Sequence, residues 1–98
     1  MRTLKLMADY DCWPLWESKP DELDNIDPRR LPISTELAAD LVKWSEDHDA
    51  ILNKDDPASS GFTSREAQEQ WIERGATLAE RLRAELGSNY AVIEHRYE

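Results

Sequence analysis

Cysteine occurs once in these 98 residues, at Cys12, so no disulfide within the chain can staple the fold, and a reducing compartment is the expected setting. Glycine is nearly as scarce, with three in all, too few to build a phosphate-cradling loop easily. No G-x-S-x-G and no H-E-x-x-H occurs. No apolar run approaches the ~20 residues that cross a bilayer. The opening MRTLKLMADY is broken by Lys5, which argues against a secretory signal and leads to the expectation of a cytoplasmic protein. Positive charge is also in deficit: 12 Lys and Arg face 21 Asp and Glu, for a net charge of −9. Nucleic acid and anionic membrane are therefore disfavoured partners, because binding to phosphates runs on Lys and Arg. A protein with a basic surface is favoured, since opposite potentials speed encounter. The plainer reading is that acidity serves solubility.

What is present reads as a single domain over residues 1–98, long enough to bury a modest core. Arg2 to Asp9 alternates, with Leu4, Leu6 and Ala8 on one side, the period of a half-buried strand. Tyr90 to Tyr97 alternates too. Between these terminal strands lie two predicted helices. Ser34 is an N-cap for the first, whose apolar stripe is Leu37, Leu41, Trp44, His48, Ile51 and Leu52, ending near Asn53. Residues 55–61, DDPASSG, read as a turn. Thr63 and Glu66 form a capping box for the second helix, with Ala67, Trp71, Leu78, Leu82 and Leu86 as its stripe and Gly87 as its left-handed stop. Pro14, Pro20, Pro28 and Pro32 keep residues 10–33 from long helix or central strand, leaving room for a short strand at Leu15–Ser18. The expected fold is α+β: a small antiparallel sheet, built on the terminal strands and covered by two antiparallel helices, in the order β(β)ααβ.

No catalytic constellation is legible. His48 falls on the apolar stripe of the first helix, which is a core or boundary position. His95 has no readable partner, and Cys12 has no base at a supporting spacing. Asp21, Glu22, Asp24 and Asp27 cluster within seven residues, but miss the alternating ligands and central glycine of a calcium loop. Neither a metal nor a cofactor is expected. The charge is uneven: residues 34–56 hold seven acids against Lys43 and Lys54, which makes that segment a landing site for a cationic partner or simply a solvated face. The stretch DYDCWPLWES places Trp13 and Trp16 among Asp9, Asp11 and Glu17. The rings either seal the core, as large aromatic payloads do, or anchor an interface.

The strings DYDCWPLW, NIDP at Asn25 to Pro28, LPIS at Leu31 to Ser34, DDPASSGF at Asp55 to Phe62 and a closing ELG at Glu85 to Gly87 follow in that order. Together they resemble a family of small, acidic bacterial proteins found beside polymorphic toxin genes, including Rhs-type toxins with ADP-ribosyltransferase ends, where they act as immunity proteins. The resemblance implies a non-catalytic inhibitor that binds a cognate toxin and occludes its active cleft. The charge pattern and aromatics then nominate Asp11, Trp13, Trp16, Glu17, Asp24, Asp27, Asp40, Asp47 and Asp49 as partner-binding residues. Two alternatives stand beside it: an enzyme that reverses a toxin's modification, and a regulatory adaptor for a basic protein.

Overall fold

The computed structural model describes residues 2–51, 61–62 and 64–95. The alternation at the start of the chain becomes β1 (Arg2–Leu6), with Leu4 and Leu6 buried. Then come β2 (Leu15–Ser18) and β3 (Leu23–Ile26), a 3₁₀ turn at Pro28–Arg30, helices α1 (Thr35–Asp49) and α2 (Arg65–Leu86), and β4 (Tyr90–Glu94). The strands form one sheet in the order β3-β2-β1-β4. The fold is α+β, as expected. The short strand at Leu15–Ser18 is present, and a fourth strand follows it.

One directional expectation is corrected. The terminal strands pair, but in parallel, with Arg2 opposite Tyr90 and Leu6 opposite Glu94; β1–β2 and β2–β3 are antiparallel. The sheet is therefore mixed. The helices are antiparallel, since Ser34 meets Glu85 while Asp47 meets Arg74. Strand β3 ends beside the end of β1, however, and the proline-containing segment 27–34 carries the chain back before α1 starts. Helix α1 then runs towards the end of β1, where Ser45 Oγ donates to the Cys12 carbonyl at 2.9 Å. Helix α2 returns, so β4 must set out alongside the start of β1. Strands β2 and β3 and this return add three passes to the two-helix count, an odd number, and so reverse the direction in which β4 arrives.

Both helices lie on one face of the sheet. Leu4, Leu6, Leu15 and Val92 meet Leu37, Leu41 and Trp44 of α1 and Trp71, Leu78, Leu82 and Leu86 of α2 in one core. Each fully buried Leu contributes roughly 1.5–3 kcal/mol. Helix α1 is capped by Ser34, whose Oγ accepts from the Leu37 N–H at 3.1 Å. Helix α2 is capped by Ser64, whose Oγ accepts from the Ala67 N–H at 3.0 Å. The cap thus falls one residue after the expected Thr63, which lies outside the described residues, as do Leu52, Asn53, most of the turn at 55–61 and Tyr97. Helix α1 ends at Asp49, and the Ala50 N–H closes it on the Glu46 and His48 carbonyls. Gly87 ends α2 at φ 70 as predicted. Of the four tryptophans, Trp44 and Trp71 occupy the core. Trp13 and Trp16 do not, so the core-sealing reading of that pair is set aside.

Candidate functional site

The loop joining β1 to β2 turns sharply. The Cys12 N–H donates to the Asp9 carbonyl at 3.3 Å, and Asp11 adopts φ 60, a left-handed conformation that Asp tolerates better than most residues. Two bonds tie the loop to the last turns of α1: the Asp11 N–H to Asp49 Oδ1 at 3.1 Å, and Ser45 Oγ to the Cys12 carbonyl. On the other side Asn25 of β3 brackets Trp13. Its Oδ1 accepts from the Trp13 N–H at 2.9 Å, and its Nδ2 donates to the Trp13 carbonyl at 2.7 Å. Pro14 is buried just behind, so the backbone of Trp13 is fixed while its side chain stays 42% exposed. A surface cavity of about 400 Å³ results, lined by Asp11, Trp13, Asn25, Val42, Glu46 and Asp49 among others.

Among the described residues, no cation lies within ion-pair distance of Asp11, Glu46 or Asp49. Asp49 and Asp9 act on two nearby groups, joined by Asp11 at one of them. The Cys12 thiol is pushed up by burial and further by Asp9, Asp11 and Asp49, which leaves less of the nucleophilic thiolate at neutral pH. Burial lowers the His48 imidazole, with Asp49 and Asp9 pulling the other way. His48 stacks between Tyr10 and Trp71, at ring separations of 4.7 and 5.3 Å, and does not line the cavity. The site can therefore receive a cationic or aromatic group beside a presented indole. It does not assemble a Cys–His pair. Among the described residues, no group of His, Cys, Asp or Glu is arranged to hold a metal ion.

The other nominated residues are placed elsewhere, and most of their charge is spent inside the molecule. Glu17 takes Arg2 in a two-pronged bond at 2.7 and 2.9 Å, which lowers its carboxyl. Asp24 pairs with Lys19. Asp27 caps the Pro28–Arg30 turn, accepts from both the backbone and the guanidinium of Arg29, and is lowered by that arginine. Asp40 takes Arg81 at 2.6 Å. At Asp47 burial works upward, but Lys43 and Arg74 outweigh it and the carboxyl is lowered. A second cavity of about 440 Å³ lies between the outer faces of α1 and α2. Asp40 and Glu73 line it together with Lys43, Arg74 and Arg81, so acids and bases are mixed there. Trp16 sits half-buried on the sheet face away from the helices, its Nε1 donating to the Met7 carbonyl at 2.9 Å.

Of the nine nominated residues, then, Asp11, Trp13 and Asp49 come together. Glu46, Val42 and Asn25 join them and were not anticipated. A signal for Glu46 existed, three residues before Asp49 on one helix face. For Asn25 there was none, because its role is to bracket a loop that adjoins β3 only after folding.

A family model described as Serratia CdiI immunity protein-like matches residues 2–96. No curated protein matches the chain.

Proposed function

Because the chain belongs to the Serratia CdiI immunity protein-like family, we propose that it neutralises its cognate toxin by stoichiometric, non-covalent occlusion, docking through the acidic cavity beside Trp13. Membership supplies the immunity role and a toxin partner. The observation that carries it is the contrast within the acid set: five of the nominated carboxylates are paired internally, whereas Asp11, Glu46 and Asp49 surround an exposed indole without a described counter-charge. Carboxylates of that kind can form charge-assisted, two-pronged bonds with arginine, and a solvent-facing Trp is a favoured anchor.

A toxin with a basic cleft suits this surface, as enzymes that handle nucleotides or RNA commonly have. The Rhs-type ADP-ribosyltransferase expected from the resemblance is one such enzyme. Inhibition of this kind requires no chemistry from the chain itself, and it operates wherever the toxin domain meets it, which we take to be the cytoplasm. The test is co-purification with the toxin domain encoded by the adjacent upstream gene, followed by titration of toxin activity. The reading expects a 1:1 complex and protection that saturates at equimolar chain. Protection at catalytic ratios would replace it with the modification-reversing enzyme, and absence of binding at low salt would remove it.

A further inference from the structure

An edge strand presents backbone donors and acceptors that no neighbour uses, and the two edges of this sheet are treated differently. On β4 the His95 N–H donates to the Leu6 carbonyl at 3.0 Å, so Ala91 and Ile93 also direct their backbone groups at β1, and Tyr90, Val92 and Glu94 face outward. There the Val92 carbonyl accepts from Arg83 Nη2 at 2.9 Å, and the Tyr90 N–H is held by the Gly87 carbonyl. The Arg83 side chain, reaching across from α2, blunts that edge.

Among the described residues, strand β3 has no such guard. Lys19 and Glu22 exchange both backbone bonds across the hairpin tip, at 2.9 and 3.4 Å. Strict alternation from that pair, in the observed register, makes Asp24 and Ile26 the residues bonded to β2 and turns the N–H and C=O of Leu23 and Asn25 outward. Among the described residues, none of these four groups takes part in a hydrogen bond. Leu23 is 49% exposed. Asn25 lines the acidic cavity and brackets Trp13, so the free edge runs directly into the site described above. The hairpin beside it carries Asp21, Glu22 and Asp24 against Lys19.

We propose that the outer edge of β3 is a strand-addition site, on which an extended, basic segment of the toxin pairs with Leu23 and Asn25 and sets a cationic side chain into the adjoining cavity. Main-chain bonds supply the register, and the cavity carboxylates select the side chain. Charge argues for this occupant over a second copy of the chain: each copy carries −9, and edge-to-edge pairing would bring Asp21, Glu22 and Asp24 against their own counterparts. The proposal rests on the toxin-binding reading and specifies how that binding is made.

The decisive variant is Leu23→Pro. Proline is tolerated on an edge strand where the lost N–H faces outward, so the circular dichroism and melting of the free chain should stay near wild type. Affinity for the upstream-encoded toxin domain should fall by about tenfold or more, the worth of one or two backbone bonds together with a clash at the edge. Leu23→Ala, which keeps the N–H, should lose less. In parallel, amide exchange at Leu23 and Asn25 should be fast in the free chain and slow in the complex. Should Leu23→Pro fail to fold, the exchange measurement decides alone. Wild-type affinity in a folded Leu23→Pro, or unprotected amides in a formed complex, overturns strand addition and leaves toxin binding standing. Amides already protected in a self-associated free chain overturn it in favour of a second copy. No complex with the wild-type chain overturns both readings.

Discussion

The indole N–H of Trp44 donates to the backbone carbonyl of Trp71 at 2.9 Å, and the indole of Trp71 returns the bond to the carbonyl of Trp44 at 3.0 Å. The rings stack between them, 4.3 Å apart and 3° from parallel. This reciprocal clasp solves the problem that a buried indole poses, a large apolar area with one N–H that must find an acceptor. It also fixes the rotation of α1 against α2, and hence where Asp49 and Glu46 emerge beside the β1–β2 loop.

The clasp requires a close approach at Gly75. A Cβ there would lie 2.7 Å from Trp44 Cζ2, inside any normal contact. Gly75→Ala should therefore destabilise the protein by about 1–3 kcal/mol despite alanine's better helix propensity. Urea unfolding followed by tryptophan fluorescence measures it. A rise in stability would mean that the ring pair slides freely.

A second tie joins the start of α1 to the end of α2. The Glu85 carboxylate accepts from the Ser34 backbone N–H at 2.5 Å and from its hydroxyl at 2.9 Å, while Ser34 Oγ caps the helix. Glu85→Ala should cost about 1 kcal/mol, visible in a 60–100-residue domain as a fall in melting temperature of roughly 4–8 °C. Ser34→Ala should cost at least as much, because it removes the cap as well. Equal melting temperatures for Glu85→Ala and wild type would show that water replaces the carboxylate at no cost.

Association kinetics should separate the two sets of acids. Neutralising the cavity with Asp11→Asn, Glu46→Gln and Asp49→Asn preserves the acceptor at Asp49, and Asn tolerates the left-handed backbone of Asp11. The triple variant should keep its fold yet bind toxin about tenfold more slowly at low ionic strength, with a shallower salt dependence. Asp40→Asn with Asp47→Asn should change association less, since those charges are already balanced by Arg81, Lys43 and Arg74. Equal slowing by both variants, read by stopped flow, would assign the effect to net charge rather than to the cavity.

Stability should depend on His48 in mildly acidic solution. Burial disfavours its protonated form, so its folded pKa lies below the ordinary 6.5, and among the described residues its Nδ1 has no hydrogen-bond partner. Below about pH 6.5 the unfolded chain takes up the proton more readily than the folded one, so stability falls as pH drops through that range towards the lowered value. Asp9 and Asp49 oppose the shift and moderate the slope. His48→Phe should keep the stack on Tyr10 and Trp71 and flatten the dependence between pH 7.5 and 5.5, as denaturant titrations would record. A wild-type slope retained in His48→Phe would point to another group. The separate loss expected below about pH 4 belongs to Glu17, Asp27 and Asp47, whose carboxyls are lowered by their cations.

Much of this molecule is local and therefore legible in the sequence. The period-two run of Leu4, Leu6 and Ala8, the stripe of Leu37, Leu41 and Trp44, the Ser34 cap and the Gly87 stop each depend on neighbours within a turn or two of chain, and the net negative charge is a sum over composition. Tertiary structure decided the rest. The direction of β4 depends on where segment 27–34 delivers the chain. The choice among acids depends on partners far away in sequence, with Arg81 reaching Asp40 across 41 residues and Arg74 reaching Asp47 across 27. A carboxylate's availability is set by what folding brings within a few ångströms of it, and no local spacing encodes that distance.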